Sequence, residues 1–196
     1  MKKVLLTGFE PFLQFPKNPT EEVVKALDGK GIGNYMVVSR VLPVTFQQAG
    51  DLLLQLIEDE KPDAIVLLGL AAGRSKITPE RIAINVKDGE KDNNGIAFED
   101  DPIEMNGEDG YFSTLPIRDM VRSLKAAGYP AEVSNSAGTY VCNYIMYNAL
   151  HHLDRQIPAG FIHIPASHEL AILHGKVPSW SQQDLNKAVE ICIECL

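Results

Sequence analysis

Cysteine is scarce in this chain, with Cys142, Cys192 and Cys195 the only three among 196 residues. They form no even-numbered framework at secretory spacing, which excludes a disulfide scaffold and points to a reducing cytoplasm. No apolar run approaches the roughly 18 residues of a membrane span. Met1-Lys2-Lys3 is followed by only Val4, Leu5 and Leu6 before Thr7, too short for a signal-peptide core, so this start reads as a buried strand. Positive charge is also in deficit: 18 Lys and Arg against 26 Asp and Glu give a net charge of −8. That balance argues against nucleic acid or an anionic membrane surface as partner. Repeats and low-complexity tracts are absent. With 45% hydrophobic and 22% charged residues, the composition is that of a globular protein, and the length suits one domain spanning 1–196 that buries roughly 70% of its unfolded surface.

The negative charge is local. Between Asp88 and Asp109 there are nine acids and one base, Lys91, so this stretch accounts for the whole excess. It reads first as a solvated loop, and second as a border of the site that disfavours acidic substrates.

Strand and helix signals mostly alternate. Val4–Thr7, Tyr35–Leu42, Ala64–Gly69, Arg81–Val86, Ala131–Ser134 and Gly160–Ile164 read as strands. Asn18-Pro19 offers a cap and a first-turn proline for a helix to Leu27, and Thr45-Phe46-Gln47-Gln48 a capping box for the next. Further helices are expected over Pro116–Ala127, Val141–His152 and from Ser181, with a long loop over 87–115. The expectation is an α/β fold, a three-layer α/β/α sandwich around a mostly parallel twisted sheet. Ligands of such folds collect beyond the carboxyl ends of the strands.

Several motifs fail on inspection. Gly29, Gly31 and Gly33 follow a helix, not a strand, so they are no dinucleotide fingerprint. Gly69-Leu70-Ala71-Ala72-Gly73-Arg74 is one residue short of a phosphate loop and carries arginine in place of lysine. Cys192 and Cys195 close a helix instead of opening one, where the dipole would activate a thiol. His168-Glu169 lacks the second histidine of a zinc site. No metal and no organic cofactor is implied.

Three residues survive, each at an element end on one edge of the sheet. Cys142 stands where Gly138 turns the chain into a helix, so its thiol meets unpaired N–H groups and the positive end of the dipole, which favours the thiolate and offers donors for an oxyanion. His163 ends an apolar strand before Pro165 and can act as base and acid. Glu80, after Pro79, can orient the imidazole.

Five blocks in order resemble one family from end to end: Leu5-Leu6-Thr7-Gly8-Phe9-Glu10-Pro11-Phe12 with Asn18-Pro19; Pro62-Asp63 leading to Gly73-Arg74; Ile77-Thr78-Pro79-Glu80-Arg81-Ile82-Ala83-Ile84-Asn85; Ser134 to Asn143, through Tyr140-Val141-Cys142; and Gly160-Phe161-Ile162-His163-Ile164-Pro165. The chain resembles the cysteine-type pyroglutamyl peptidases. The resemblance implies a hydrolase that removes N-terminal 5-oxoproline from peptides, with Cys142 as nucleophile, His163 as general base and acid, and Glu80 as its orienting partner. It also implies substrate walls at Phe9, Phe12, Tyr140 and Val141, no cofactor, and a homodimer or homotetramer.

The chain departs from the family pattern in four places. Leu70 stands where many members have glutamine, Glu90 where they have an arginine ten residues after the glutamate, Pro165-Ala166-Ser167-His168 where they read Pro-Tyr-Ile-Pro, and Leu13-Gln14 where they have paired glycines. Two other readings stay open: a different cysteine hydrolase such as a glutamine amidotransferase, against which the missing nucleophile elbow and the Glu–Cys–His order speak, and a binding module that has abandoned catalysis.

Overall fold

The computed structural model describes residues 1–12 and 15–196. The departure noted at Leu13-Gln14 lies outside the described residues. A six-stranded sheet forms the centre, built from β1 (Lys2–Phe9), β2 (Gly31–Ile32), β3 (Tyr35–Leu42), β4 (Ala64–Leu70), β5 (Thr78–Pro79) and β8 (Ala159–Ile164) in the order β2-β3-β1-β4-β8-β5. The inner four strands are parallel, and the short edges β2 and β5 are antiparallel. β1, β4 and β8 are buried along most of their length because helices cover both faces. On one face Val4, Leu6, Val66, Leu68 and Ile162 pack against α1 (Pro19–Leu27), α3 (Ile117–Ala126) and α6 (Gln182–Glu194). On the other Leu5, Phe9, Ile65, Leu67 and Phe161 pack against α2 (Phe46–Glu60) and α4 (Val141–Leu153). This is the expected three-layer sandwich, with a mostly parallel sheet.

Local signals behave as their chemistry requires at α1, where the Asn18 side chain accepts from Thr20 N at 3.1 Å. At α2 they do not. Thr45 makes no side-chain cap; its hydroxyl pairs with Gln48 Oε1, and the cap comes from Asp92, whose Oδ2 accepts from Phe46 N at 3.0 Å. The other Asp92 oxygen accepts from Asn94 N and Ile96 N, both at 2.9 Å. The acidic stretch is therefore in part an ordered strap. Asn93 N donates to Val44 O and its amide to Glu10 Oε1, tying 88–96 to the chain after β1 and β3.

Three expectations need correction. Arg81–Val86 is not a sheet strand: only β6 (Ile82–Ile84) is extended, and it pairs with β7 (Gly110–Phe112), inside the region read as loop. Buried Asn143 holds β6 away from the main sheet by bonding Ile84 N, Ile84 O and Val86 O at 2.8–2.9 Å. Ala131–Ser134 makes only isolated bridges to Ile77 and Glu80. Ile77 N, Glu132 N, Ser134 N and Arg81 N supply bonds on either side, but Pro79 has no N–H to donate and the ladder breaks there. A seven-residue helix, α5 (His168–His174), follows β9 (Ala166–Ser167) and was not expected; Ser167 caps it and Gly175 ends it in the left-handed region. The sheet formed by β9 and β10 (Ser179–Trp180) completes the structure.

Candidate active site

Gly69 near the end of β4 is the Cα partner of His163 on β8. Both belong to the face covered by α4, since Leu67 and Phe161, two residues earlier on each strand, lie in that core. A Cβ on Gly69 would stand 3.0 Å from Cys142 Sγ and 2.6 Å from Phe161 Cζ. The missing side chain is thus what lets the first turn of α4 lower its sulfur onto the strand beside His163. The Phe161 ring packs against the imidazole at 4.8 Å between centroids and restricts its rotation.

Glu80 lies on the other side of His163, reached from the antiparallel edge strand β5. Its backbone N–H donates to Phe161 O at 2.9 Å. Its carboxyl is fully buried, and Oε1 accepts from His163 Nδ1 at 2.7 Å. Burial alone would raise the Glu80 pKa, but the hydrogen bond and charge of His163, with the Arg74 hydrogen bond adding to them, outweigh it and hold the carboxyl below its usual range. An ionised carboxylate only accepts, so the proton of the neutral imidazole sits on Nδ1 and Nε2 is left as the base. Burial keeps the His163 pKa below its ordinary value despite Glu80, so the ring is neutral near pH 7. The structure pairs Glu80 directly with His163 and brings Cys142 to the same strand ends across Gly69, the Cα partner of His163.

Burial of the sulfur opposes the expected thiolate. Burial pushes the Cys142 thiol up to about 12, and the Glu80 charge adds to the rise, while Arg74 and the residue's own backbone N–H act the other way. The helix-terminus effect read from sequence is present, since α4 begins without a side-chain cap, but it is worth at most about 2 kcal/mol. Desolvating a charged sulfur costs more. Half-buried at the cleft, Cys142 is favoured as a thiol.

In front of the sulfur is a narrow cleft lined by Phe9, Phe12, Asn18, Val44, Leu70, Tyr140, Val141 and Cys142. All four expected wall residues are in it. Tyr140 is braced from outside: its hydroxyl donates to Lys91 O at 3.3 Å, and Gly89, at φ 142°, lies so close that a Cβ would meet the ring at 3.1 Å. Leu70, where the resemblance expects glutamine, lies in this wall, whereas Glu90 is exposed on the strap and acts on Tyr140, whose hydroxyl burial, Asp92, Cys142 and Glu90 push up to about 12.

A family model described as pyroglutamyl peptidase matches residues 2–196. The chain belongs to the pyroglutamyl peptidase family. It is 55% identical over the full length of both chains to a pyrrolidone-carboxylate peptidase of Oceanobacillus iheyensis. Among solved structures it is similar to the pyrrolidone carboxyl peptidase of Thermococcus litoralis, with a TM-score of 0.96 and 43% identity over all of this chain and 93% of that one. The pyroglutamyl peptidase I of Bacillus amyloliquefaciens gives 0.96 and 39% over 100% and 96%.

Sequence reasoning did not place three residues of this pyroglutamyl peptidase site. Asn18 and Val44 line the cleft, and Arg74 donates to the same Glu80 oxygen as His163, at 2.6 Å. Arg74 stood in one of the five blocks, but nothing in its neighbourhood along the chain says where its guanidinium ends. Among the described residues no helix is long and apolar enough to cross a membrane, and no group of three or more His, Cys, Asp or Glu is arranged to hold a metal.

Proposed function

We propose that the protein hydrolyses the bond after an N-terminal 5-oxoproline residue through a thioester on Cys142, with residues 1–196 acting as one catalytic unit. The observation that carries this reading is the placement of the Cys142 sulfur at the end of an apolar slot and against Gly69, the Cα partner of His163, whose imidazole is oriented by Glu80. The slot selects for the lactam. Among the described residues no charged side chain lines it, so a free α-ammonium would lose its water without gaining a partner, whereas the neutral ring loses little. Phe9, Phe12, Tyr140 and Val141 supply its walls.

Because both partners rest neutral, attack and deprotonation go together. His163 Nε2 takes the thiol proton as the sulfur bonds to the pyroglutamyl carbonyl carbon. The tetrahedral oxyanion is held by free N–H groups in the first turn of α4, where the helix dipole is also positive. Collapse breaks the C–N bond, and the imidazolium gives its proton to the leaving amine. A water deprotonated by the same Nε2 then attacks the thioester, releasing 5-oxoproline and restoring the thiol. Throughout, Glu80 stays ionised and stabilises the transient imidazolium through Nδ1–H.

Cys142→Ala is expected to abolish hydrolysis of a chromogenic pyroglutamyl amide while the variant still unfolds cooperatively. Turnover by that variant at the rate of the unaltered chain would refute the assignment. A homodimer or homotetramer in a reducing cytoplasm completes the reading. It is supported by the family resemblance, by the exposed apolar pair Ile172 and Leu173 on α5, and by three free cysteines; sedimentation velocity measures the assembly directly.

A further inference from the structure

Among the described residues Arg74 is the one Lys or Arg bonded to Glu80. Its Nη1 donates to Glu80 Oε1 at 2.6 Å and to Thr78 Oγ1 at 2.7 Å, and its Nη2 donates to Ser136 O at 3.2 Å. Thr78 Oγ1 reaches the carbonyl of His163 at 3.4 Å. One guanidinium therefore joins the turn after β4, edge strand β5, the carboxylate that holds His163, and the Ser136–Gly138 bend that leads into Cys142. Its side chain is 35% exposed while that of Glu80 is 0% exposed, so it closes the solvent side of the buried carboxylate.

We infer that Arg74 is a positioning residue for the hydrolysis, setting the geometry of Glu80 and His163 through its two-pronged contact and keeping His163 unprotonated through its charge. The inference rests on the proposed Cys142–His163–Glu80 reading. The geometric part follows from bond count: a lysine can replace the charge but cannot span Glu80, Thr78 and Ser136 with a rigid fork. The electrostatic part has a definite sign. A positive charge sharing an oxygen with the imidazole opposes addition of a second positive charge to the ring and favours the ionised carboxylate.

Few other charges act on this group. Arg81 Nε is turned to Asn135, Lys76 to Glu132, and Asp92 and Glu90 act on Tyr140. From α4 the facing titratable group is Cys142, neutral at rest. Removal of Arg74 should therefore raise the pKa of both His163 and Glu80. Arg74 and His163 bond the same Glu80 oxygen, at 2.6 and 2.7 Å, so the rise for His163 shows as an upward shift of the acidic limb of the rate profile.

The test compares Arg74→Met and Arg74→Lys with the unaltered chain, with Cys142→Ala alongside so that failure of the triad reading shows separately as activity without the thiol. For Arg74→Met, kcat should fall about 10- to 100-fold with KM changed less than about threefold, and the acidic limb of kcat/KM should move to higher pH. Arg74→Lys should keep the limb near its original pH and recover only part of kcat. An Arg74→Met enzyme whose acidic limb does not move overturns the electrostatic role, whatever its rate. Full kcat in Arg74→Lys overturns the geometric role, and does so even if Arg74→Met fails to fold.

Discussion

Gly69→Ala offers the sharpest structural test, because one methyl group is aimed at both the nucleophile and its support. The added Cβ would lie 2.6 Å from Phe161 Cζ, 2.7 Å from Phe161 Cε1 and 3.0 Å from Cys142 Sγ. Ordinary carbon contacts are about 3.5–4.0 Å, so these atoms must retreat by roughly 0.5–1 Å. Phe161 is fully buried in the core under α4 and has no space to enter, so the cost falls in the overpacking range, about 2 kcal/mol. For a chain of this length that lowers Tm by about 4–8 °C. The sulfur can move only with the first turn of α4, and a displacement approaching 1 Å is worth about 100-fold in rate. Thermal unfolding followed by circular dichroism reads the first quantity, and single-turnover hydrolysis of a pyroglutamyl amide at saturating substrate reads the second. A variant that keeps its Tm within 1 °C or so and its rate within about twofold would show that the sulfur does not rest on the β4 backbone.

The other predictions concern the strap and the charges. Asp92→Ala removes acceptors for Phe46, Asn94 and Ile96 N–H groups and should cost about 1–2 kcal/mol in urea unfolding. KM should rise more than kcat falls, because the strap braces Tyr140; Asp92→Asn, which retains one acceptor, should recover most of the stability, and equal loss in both variants refutes the cap. Acid should weaken the fold in two stages. His163 is held below its unfolded value of 6.5, so the unfolded chain protonates first and stability falls as pH drops below 6.5, by up to about 1.4 kcal/mol per pH unit until the folded ring takes its proton. Glu80, held below 4.5, contributes stability present above that pH and lost as pH falls through its folded value. His163→Asn should remove the first stage, and an unchanged slope between pH 6.5 and 5 in that variant refutes it. Finally, Glu90 and Asp92 of the acidic stretch act on Tyr140, so pyroglutamyl substrates followed by a basic residue should be turned over faster than those followed by an acidic one at low salt, with the ratio shrinking as salt rises. Equal rates across that series at low ionic strength would show that the loop does not face the leaving peptide.

What could be read from sequence divides along a physical line. Cys142, His163 and Glu80 sit where an element begins or ends, and glycines, prolines and caps mark such places within a few residues. Phe9, Phe12, Tyr140 and Val141 came from the family blocks, not from periodicity. Asp92 capping a helix 46 residues earlier, Arg74 reaching Ser136 across 62 residues, and Asn143 drawing β6 off the sheet across 59 are long-range pairings. Each uses a residue whose local context suggests only a polar loop or helix position. The same limit applies to β6 and β7, whose three-residue runs are too short for a period to show. The edge strand β5 is shorter still, and it is what delivers Glu80 to His163.

The thiol shows how a correct local reading can give the wrong charge state. A helix start does favour a thiolate, and the sequence marks that start plainly. Whether it wins depends on how much water the sulfur keeps, which is set by Gly69, Phe161 and the cleft walls together. Here the walls that suit an uncharged lactam also make a bare anion expensive. With burial pushing the thiol up to about 12, the thiolate is disfavoured at pH 7. Nucleophilicity must then come from proton transfer to His163 during attack. This ties reactivity to a substrate carbonyl positioned over the sulfur, with N–H donors in place to receive the oxyanion. Glu80 and Arg74 act one step back from the reacting atoms, keeping the base neutral, in the right tautomer and pointed at the sulfur when that carbonyl arrives.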